Sequence, residues 1–305
     1  MTVPFETLVH CLKAVAEPTR LRLLALLAEG ELTVSEICEV IGQSQPRVSR
    51  HLKILCDAGL LDRFREQHWV YYRVPAKGVY ADWIARLLEL VPQHDAQLGR
   101  DRERCERVIA HRLLATEFDP AAGGSDVPAG TDLGRLLVAE LGASGAGDLL
   151  DVGTGEGHLL RAIAPVAKHA LGIDVSAEAL RVARSQLHVA GLGRCEIRRG
   201  DMYRLDLPDA SFDTVTMDRL LAAASEPVTA LSEAARVLRA EGRLIVVEEF
   251  ERLLEVGGAS NPLAVLRAWF ASAGLACQRL RPVDTAAGHL LIAIGRPHTA
   301  NHVAA

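Results

Sequence analysis

The sequence predicts two domains of different fold class, an α+β domain of helices with a β-hairpin and then an α/β domain built on a doubly wound parallel sheet. Helical periodicity interrupted by Gly and Pro, followed by two strand-like runs, fills the first part of the chain. From residue 148 onward, apolar strands alternate with helices. A segment rich in Gly, Ala and Pro at 118–132 separates the two patterns. We place the domains at 1–95 and 133–297, with a helical linker and flexible joint over 96–132.

The composition is that of a soluble globular protein: 49% of the 305 residues are hydrophobic and 24% are charged. Because the net charge is −5, any contact with nucleic acid requires a local basic surface. No apolar run approaches the roughly 18 residues of a membrane span, and the N-terminus lacks a signal-peptide pattern. The six cysteines form no CxxC pair, which indicates reduced thiols, so we expect a cytoplasmic protein.

Two short helices open the first domain. Pro18 suits the first turn of a helix that ends before Gly30. Thr33 is a candidate N-cap for the next helix, with Glu36 three residues later as its reciprocal partner. The order helix, helix, turn, helix and hairpin is typical of a winged helix-turn-helix domain.

The third helix carries the residues expected to read DNA. Ser44 is a candidate cap, and Val48, Leu52 and Leu55 repeat along one apolar face. Gln and Arg side chains can bond base edges, while Ser, Lys and backbone N–H groups hold phosphates. The opposite, polar face comprises Ser44, Gln45, Arg47, Ser49, Arg50 and Lys53.

The strand-like runs from Leu60 to Val74, around a turn near residues 66–68, predict a wing that lies along the DNA backbone. Arg63, Arg65 and Arg73 decorate these runs. The alternative is that the charges only solvate a helix and a hairpin. The complete order of elements, with Pro and Gly at the joints, favours binding of double-stranded DNA.

The segments EPTRLRLLALL, ELTVSEIC and SQPRVSRHLKILCDAGLL closely resemble the ArsR/SmtB family, over residues 5 to about 90. The resemblance implies a homodimer, with the terminal helices at its interface, that binds a palindromic operator, in most cases as a repressor.

Metal sensing, which many members of that family perform, is not expected. Arsenic-sensing relatives carry three cysteines in the helix that here reads ELTVSEIC, where Thr33 and Ser35 leave only Cys38. Cys11 and Cys56 could still approach Cys38 in space, but buried apolar cysteine is the commoner case. The zinc-type site of the last helix, around Asp82 and His94, lacks its second His and its Glu. We therefore predict no metal.

The second domain contains a glycine turn between a strand and a helix. The strand ending at Val152 precedes a turn that reads Gly153-Thr154-Gly155-Glu156-Gly157. Such a turn lets the backbone approach a ligand. Asp174, at the end of the next strand, is placed to accept both hydroxyls of a ribose. This pattern alone fits NAD equally well, and it also allows a turn that serves packing only.

With Asp151 before the glycines, GDMYRLDLPDASFDTV and ARVLRAEGRLIVVEE, the second domain resembles a class I S-adenosylmethionine-dependent methyltransferase, a Rossmann-like fold. The resemblance implies that Asp201 bonds the adenine amine, that Met202 lies against the ring, and that Asp151 faces the methionine end. The candidate ligand-binding residues are Asp151, Gly153, Thr154, Gly155, Gly157, Asp174, Val175, Asp201, Met202 and Asp218.

The place where related enzymes bind their acceptor looks reduced. After the fourth strand, where such relatives carry a His or an aromatic pair, residues 217–224 are mostly small and apolar. His158, Asp218 and Glu248 remain as possible bases, and no catalytic residue is assigned. The chain resembles S-adenosylhomocysteine-responsive regulators of the ArsR family. It is thus interpreted as a regulator controlled by S-adenosylhomocysteine or S-adenosylmethionine. The alternatives are an active small-molecule methyltransferase tethered to DNA and an empty domain that serves dimerisation.

Overall fold

A computed structural model describes residues 4–66, 69–75, 78–92, 95–115, 132–257, 261–285 and 288–298. Contacts divide the chain into two compact units. Unit 1 comprises Met1–Phe118 and Arg184–Glu196, and unit 2 comprises Asp119–Ala183 and Ile197–Ala305. The joint expected at 118–132, except for Asp132, and the turn residues 67 and 68 lie outside the described residues.

Unit 1 is built from six helices and a small antiparallel sheet of order β1-β3-β2 among its described residues. Its elements are α1 Phe5–Val15, α2 Pro18–Ala28, β1 Leu32–Thr33, α3 Val34–Ile41, α4 Gln45–Asp57, β2 Asp62–Glu66, β3 Trp69–Arg73, α5 Val79–Glu89 and α6 Ala96–Ala115.

Local chemistry sets the helix ends of unit 1. Thr33 Oγ1 accepts the N–H of Glu36, and Glu36 Oε2 accepts the N–H of Thr33 at 2.7 Å, so the predicted capping box is present. Gly42 ends α3 in the left-handed conformation, with φ of +71°. Ser44 occupies the N-cap of α4, but its side chain makes no capping hydrogen bond, unlike the expectation from the sequence. The side chain of Ser44 is instead exposed.

Helix α6, predicted from the sequence to be part of the helical linker, packs into unit 1. Cys105, Val108 and Ile109 are buried in the same apolar core as α2, α3 and α4. Arg112 is paired with Glu36 of α3 at 2.7 Å. The interleaved charges around residues 100–107 hid this apolar face, because its three core residues occupy little more than one turn of the helix.

Unit 2 contains a seven-stranded sheet of order β6-β5-β4-β7-β8-β10-β9. β4 pairs in parallel with β5 and β7, β7 pairs in parallel with β8, and β10 is antiparallel to β8 and β9. Its elements are α7 Asp132–Leu141, β4 Gly147–Val152, α8 His158–Ile163, β5 Ala167–Asp174, α9 Ala177–Val189, β6 Glu196–Arg199, β7 Phe212–Asp218, α10 Pro227–Val237, β8 Leu238–Glu249, α11 Phe250–Gly257, α12 Pro262–Ser272, β9 Leu275–Thr285 and β10 Gly288–Pro297. Two of these elements, α9 and β6, extend into the segment Arg184–Glu196 that belongs to unit 1.

The predicted doubly wound sheet is confirmed, with two antiparallel strands added at one edge. Leu150 and Val152 of β4 and Val215 of β7 are fully buried in its core. Parallel central strands bring the C-terminal ends of β4, β5, β7 and β8 to one edge, where ligand sites of such sheets form.

Candidate functional site

The polar face of α4 is exposed, as the sequence predicts. Val48, Leu52 and Leu55 are fully buried and hold the helix on the core. On the opposite face only Ser49 is partly buried, and the exposed residues are Ser44, Gln45, Arg47, Arg50 and Lys53. Arg47 and Arg50 make no ion pair with any described residue, whereas Lys53 is paired with Asp57 at 2.8 Å. This surface therefore presents unneutralised guanidinium groups.

The wing strands place their arginines on different sides. Arg63 and Arg65 of β2 are exposed, in agreement with a surface that meets DNA phosphates. Arg73 of β3 is only 8% exposed, so its assignment to the wing surface is wrong. The alternation of side chains along a strand turns Arg73 toward the interior of unit 1.

Arg73 belongs to a buried ion-pair network within unit 1. Its Nη1 donates to Glu31 at 3.0 Å and its Nη2 is paired with Glu196 at 2.8 Å. Arg184, 4% exposed, is paired with Glu31 at 2.6 Å and with Glu66 at 2.7 Å. Burial by itself lowers the pKa of each guanidinium, but Glu31 and the other carboxylates outweigh that effect and raise it. The charges of this network thus face one another in the interior of the unit.

The cysteines of unit 1 resemble core residues more than metal ligands. Cys11 is buried, Cys38 and Cys56 are partly buried, and burial raises the pKa of all three thiols. Across the described residues, no group of three His, Cys, Asp or Glu side chains could hold a metal ion. His94 lies outside the described residues. Absence of a resident metal stays a prediction.

The glycine turn of unit 2 is hydrogen-bonded to the side chain of Asp174. The N–H of Gly155 donates to Asp174 Oδ2 at 2.9 Å, and the N–H of Ser176 donates to Oδ1 at 2.8 Å. Gly155 has φ of +53°, and a Cβ there would meet nothing within 4 Å. Gly157 also has a positive φ, of +82°. The carboxylate is thus fixed beside open space at the C-terminal edge of the sheet.

Asp151 is a fully buried acid directly below this turn. It is 2% exposed, and its Oδ1 accepts the hydroxyl hydrogen of Thr216 at 2.6 Å. Burial raises the pKa of Asp151 to about 7, in spite of that hydrogen bond. The nearby carboxylates of Asp218 and Asp174 add to the increase. A perturbed acid in such a place is a common feature of functional sites.

Another buried acid, Glu248 of β8, holds the segment after β7. Its Oε1 accepts the N–H of Leu221 at 2.5 Å, and the side chain is fully buried. Burial raises the pKa of Glu248 to about 7, although backbone N–H groups of Leu221 and its neighbours lower it. Asp218 is bound by its neighbour Arg219 through Nε at 3.0 Å and Nη2 at 2.6 Å.

The remaining predicted ligand residues lie after β5 and β6. Val175 is 58% exposed, and Asp201 is exposed, with its Oδ1 accepting the N–H of Tyr203 at 2.9 Å. Met202 is partly buried against the core of unit 2. The Tyr203 hydroxyl accepts the N–H of Ser225 at 2.9 Å, so it ties this segment to the one after β7.

The structure brings Asp151, the glycine turn, Asp174 and Asp218 to one sheet edge, but their roles in binding stay predictions. Sequence reasoning did not single out Arg219, Leu220 or Tyr203. A Cβ on Gly153 would lie 2.8 Å from Leu220 Cδ1, so the segment after β7 packs onto the turn. No sequence motif marked Arg219 or Leu220 as site residues, because the residues that follow them are small and apolar.

Within the described residues, the helices are all too short or too polar to cross a membrane.

Two protein families match separate parts of the chain. The bacterial regulatory protein, arsR family, matches residues 17–63, and the methyltransferase domain family matches residues 150–246. The arsenical resistance operon repressor of Escherichia coli is 38% identical over 86 residues, which are 27% of this chain and 68% of that protein.

A phosphatidylethanolamine N-methyltransferase of Cereibacter sphaeroides is 38% identical over 122 residues, or 39% of this chain. The chain spans only 58% of that enzyme's length. A solved S-adenosylmethionine-dependent methyltransferase from Aquifex aeolicus is similar to this chain over 59% of this chain and 98% of its own, with a TM-score of 0.47 and 21% identity. The chain belongs to the arsR family of bacterial regulatory proteins, and it joins the DNA-binding regulator domain of that family to a methyltransferase domain.

Proposed function

We propose that this protein is a transcriptional repressor whose operator affinity is controlled by S-adenosylhomocysteine or S-adenosylmethionine bound at the glycine turn. The observation that carries the proposal is the geometry of Asp174, whose carboxylate is fixed to the turn by the N–H groups of Gly155 and Ser176. A carboxylate has about four acceptor positions, so two stay available for the hydroxyls of a ribose. The open space beside Gly155 leaves room for the nucleoside to approach the backbone of the turn.

The other parts of the edge fit the same nucleoside. Val175 offers exposed apolar surface next to Asp174, and Asp201 and Met202 follow the next strand of the sheet. Asp151 lies fully buried below the turn. An apolar surface for the base with a few fixed polar groups is the usual composition of a nucleoside site.

The DNA-binding half is proposed to act as a homodimer on a palindromic operator, in the cytoplasm. Phe5 and Leu12 on α1 and Leu90 after α5 are 80%, 47% and 80% exposed. Apolar residues at this level of exposure, on the terminal helices of the winged-helix domain, support a dimer interface there. Two copies related by a twofold axis would present two α4 helices to two half-sites.

Control by the ligand requires that the nucleoside bind one dimer geometry better than the other. Operator affinity then changes by the same factor as ligand affinity does between free and DNA-bound protein. A nucleoside with equal affinity for both geometries would leave operator binding unchanged.

A second candidate function is methyl transfer to a small acceptor, with S-adenosylmethionine as methyl donor. The match to the methyltransferase domain family favours it. The three possible bases are already engaged, however: His158 with Glu156 at 3.3 Å, Asp218 with Arg219, and Glu248 with the N–H of Leu221.

The proposal is tested by calorimetric titration of the purified chain with S-adenosylhomocysteine and, separately, with S-adenosylmethionine. We expect binding that Asp174→Ala reduces by about a hundredfold, since two hydrogen bonds to a charged group are lost. Asp206→Ala, at an exposed aspartate of the same unit, is the matched control and should bind normally.

The regulatory part is tested on a DNA duplex that the protein itself selects from a random library. Fluorescence anisotropy should show that the nucleoside shifts operator affinity in the native protein and not in Asp174→Ala. Nucleoside binding without any shift would contradict ligand control, and binding of neither nucleoside would leave only a DNA-binding protein with an empty domain. A methylated product in the mixture would favour the enzyme.

A further inference from the structure

A cation lies at the sheet edge where the glycine turn begins. Met217 of β7 pairs with Val152, the last residue of β4, so Asp218 and Gly153 follow side by side. The guanidinium of Arg219 is bound to the carboxylate of Asp218 through two hydrogen bonds. The two side chains are only 12% and 14% exposed. The positive charge of Arg219 is therefore part of the edge at which the ligand is proposed to bind.

The backbone holds Arg219 at this edge. Its φ of +50° lies in the left-handed region, which residues other than Gly seldom adopt. Its N–H donates to the carbonyl of Val247 at 2.7 Å, and the next side chain, Leu220, packs on Gly153. Glu248 fixes the residues that follow. Backbone strain of this kind persists only where the surroundings impose it, and it concentrates at ligand sites.

Four acids share the edge: Asp151, Asp174, Asp218 and Glu248. Because burial raises the pKa of Asp151 and Glu248 to about 7, both are partly protonated at neutral pH. The carboxylate of Asp218 is paired with Arg219, and that of Asp174 accepts the N–H groups of Gly155 and Ser176. A cationic ligand beside Gly153 would therefore meet the positive charge of Arg219 next to acids that are paired, hydrogen-bonded or partly protonated, whereas an uncharged ligand would not encounter that repulsion.

The geometry points to Arg219 as the residue that determines ligand preference at this site, by disfavouring a sulfonium and admitting the uncharged thioether. The inference rests on the proposed nucleoside site and deepens it. S-adenosylmethionine and S-adenosylhomocysteine differ by one methyl group and one positive charge. A guanidinium fixed in a partly buried edge discriminates between them through that charge, since screening by water is weaker there than at an open surface.

The test compares the dissociation constants of the two nucleosides, measured calorimetrically on the full chain. We expect the native protein to bind the thioether at least about tenfold more tightly, equivalent to about 1.4 kcal/mol. Arg219→Met keeps much of the side-chain volume and removes the charge, so it should tighten sulfonium binding by about tenfold or more and change thioether binding little. Arg219→Lys keeps the charge and should keep the preference.

Asp218→Asn gives an independent change of opposite sign. It leaves the guanidinium without its counter-charge, so sulfonium binding should weaken relative to thioether binding and the ratio of the two dissociation constants should widen. Arg239→Gln is the matched control, because Arg239 is paired with Asp148 and Asp213 near the opposite ends of β4 and β7. Its loss removes a similar cation from the other edge and should leave the preference unchanged.

The outcomes separate this inference from the proposed function. Equal or tighter binding of the sulfonium by the native protein overturns the role of Arg219 and leaves the nucleoside site intact. A thioether preference that survives Arg219→Met also overturns it, and so does a loss of preference in Arg219→Lys, which would indicate shape instead of charge. If neither nucleoside binds, the proposed function and this inference both fail. Thermal unfolding of each variant confirms that the compared proteins are folded.

Discussion

Both units of this protein bury ionisable side chains, but those of unit 1 are paired with opposite charges and those of unit 2 are not. In unit 1, the guanidinium groups of Arg73 and Arg184 each contact at least two carboxylates, and their pKa values rise because the carboxylates outweigh burial. In unit 2, Asp151 and Glu248 are as deeply buried, but each accepts hydrogen bonds only from neutral groups. Burial therefore raises their pKa values to about 7.

The difference separates buried charges that are paired with opposite charges from buried acids that are not. A balanced network gains Coulomb attraction that offsets the cost of leaving water. A buried acid without a cationic partner gains no Coulomb attraction to offset its desolvation cost. Such acids are common at functional sites, so those near the glycine turn are candidates for a functional role. The comparison also explains why Arg73 lies in the interior although it follows the wing arginines in sequence.

The largest effect is expected from breaking the network of unit 1. Glu31→Ala removes a carboxylate that contacts both Arg73 and Arg184, so two buried guanidinium groups lose their common partner. Removal of one member of a buried pair typically costs about 3–5 kcal/mol of unfolding free energy. Urea unfolding followed by circular dichroism measures the loss.

Asp57→Ala is the matched control for Glu31→Ala, because the Lys53–Asp57 pair is 74% and 60% exposed. Exposed pairs contribute less than about 1 kcal/mol. If Glu31→Ala lowered the unfolding free energy no more than Asp57→Ala does, the buried network would not stabilise unit 1, and the proposed contrast between the two units would be wrong.

The acids of unit 2 predict a pH dependence with a definite sign. Asp151 and Glu248 hold their protons more tightly in the folded state than in the unfolded chain. Their contribution to stability is therefore fully present below pH 4 and is lost as the pH rises toward about 7. Each carboxyl should lower the unfolding free energy by up to about 1.4 kcal/mol per pH unit in that window.

Fluorescence of Trp269, which packs against the core of unit 2, reports this transition in a protein with Trp69 and Trp83 changed to Phe. In the double variant Asp151→Asn, Glu248→Gln the slope between pH 5 and pH 7 should largely vanish, since neither side chain titrates. An unchanged slope in the double variant would mean that other groups produce it and that the two acids are not perturbed as described.

The smallest effect on folding is expected from the exposed arginines of unit 1. Changing both Arg47 and Arg50 to Ala should weaken operator binding by at least about tenfold and should reduce the salt dependence of binding by up to about two phosphate contacts. Unfolding free energy should change by less than about 0.5 kcal/mol, since neither side chain pairs with a described residue.

Arg107→Ala, at an exposed position of α6, is the control for a general loss of positive charge. Operator binding that falls equally in Arg107→Ala would show that overall charge matters and that the α4 face has no special role. Operator binding that persists in the α4 variant would contradict its assignment as the recognition surface.

Much of the fold followed from local patterns in the sequence. The capping box of Thr33 and Glu36, the apolar face of α4 and the alternation of strand and helix after residue 148 depend on residues within a few positions of one another. The glycine turn and Asp174 could be predicted equally well. Glycine is the residue that adopts a positive φ without strain, as this turn requires, and Asp174 ends the apolar run of the next strand. The exposure of the polar face of α4 was predicted for the same reason.

Only tertiary structure decided which charges are buried and with what partners. Arg184 meets Glu31 across 153 positions of the chain, and Asp218 comes beside Gly153 through strand pairing, so no local window contains either relation. The same holds for the packed face of α6 and for Glu248 beneath the segment after β7. Sequence alone determined the two domain types and the positions of the glycine turn and of helix α4. Packing determined whether each buried charge has a partner of opposite charge, because long-range neighbours set the cost of burying it.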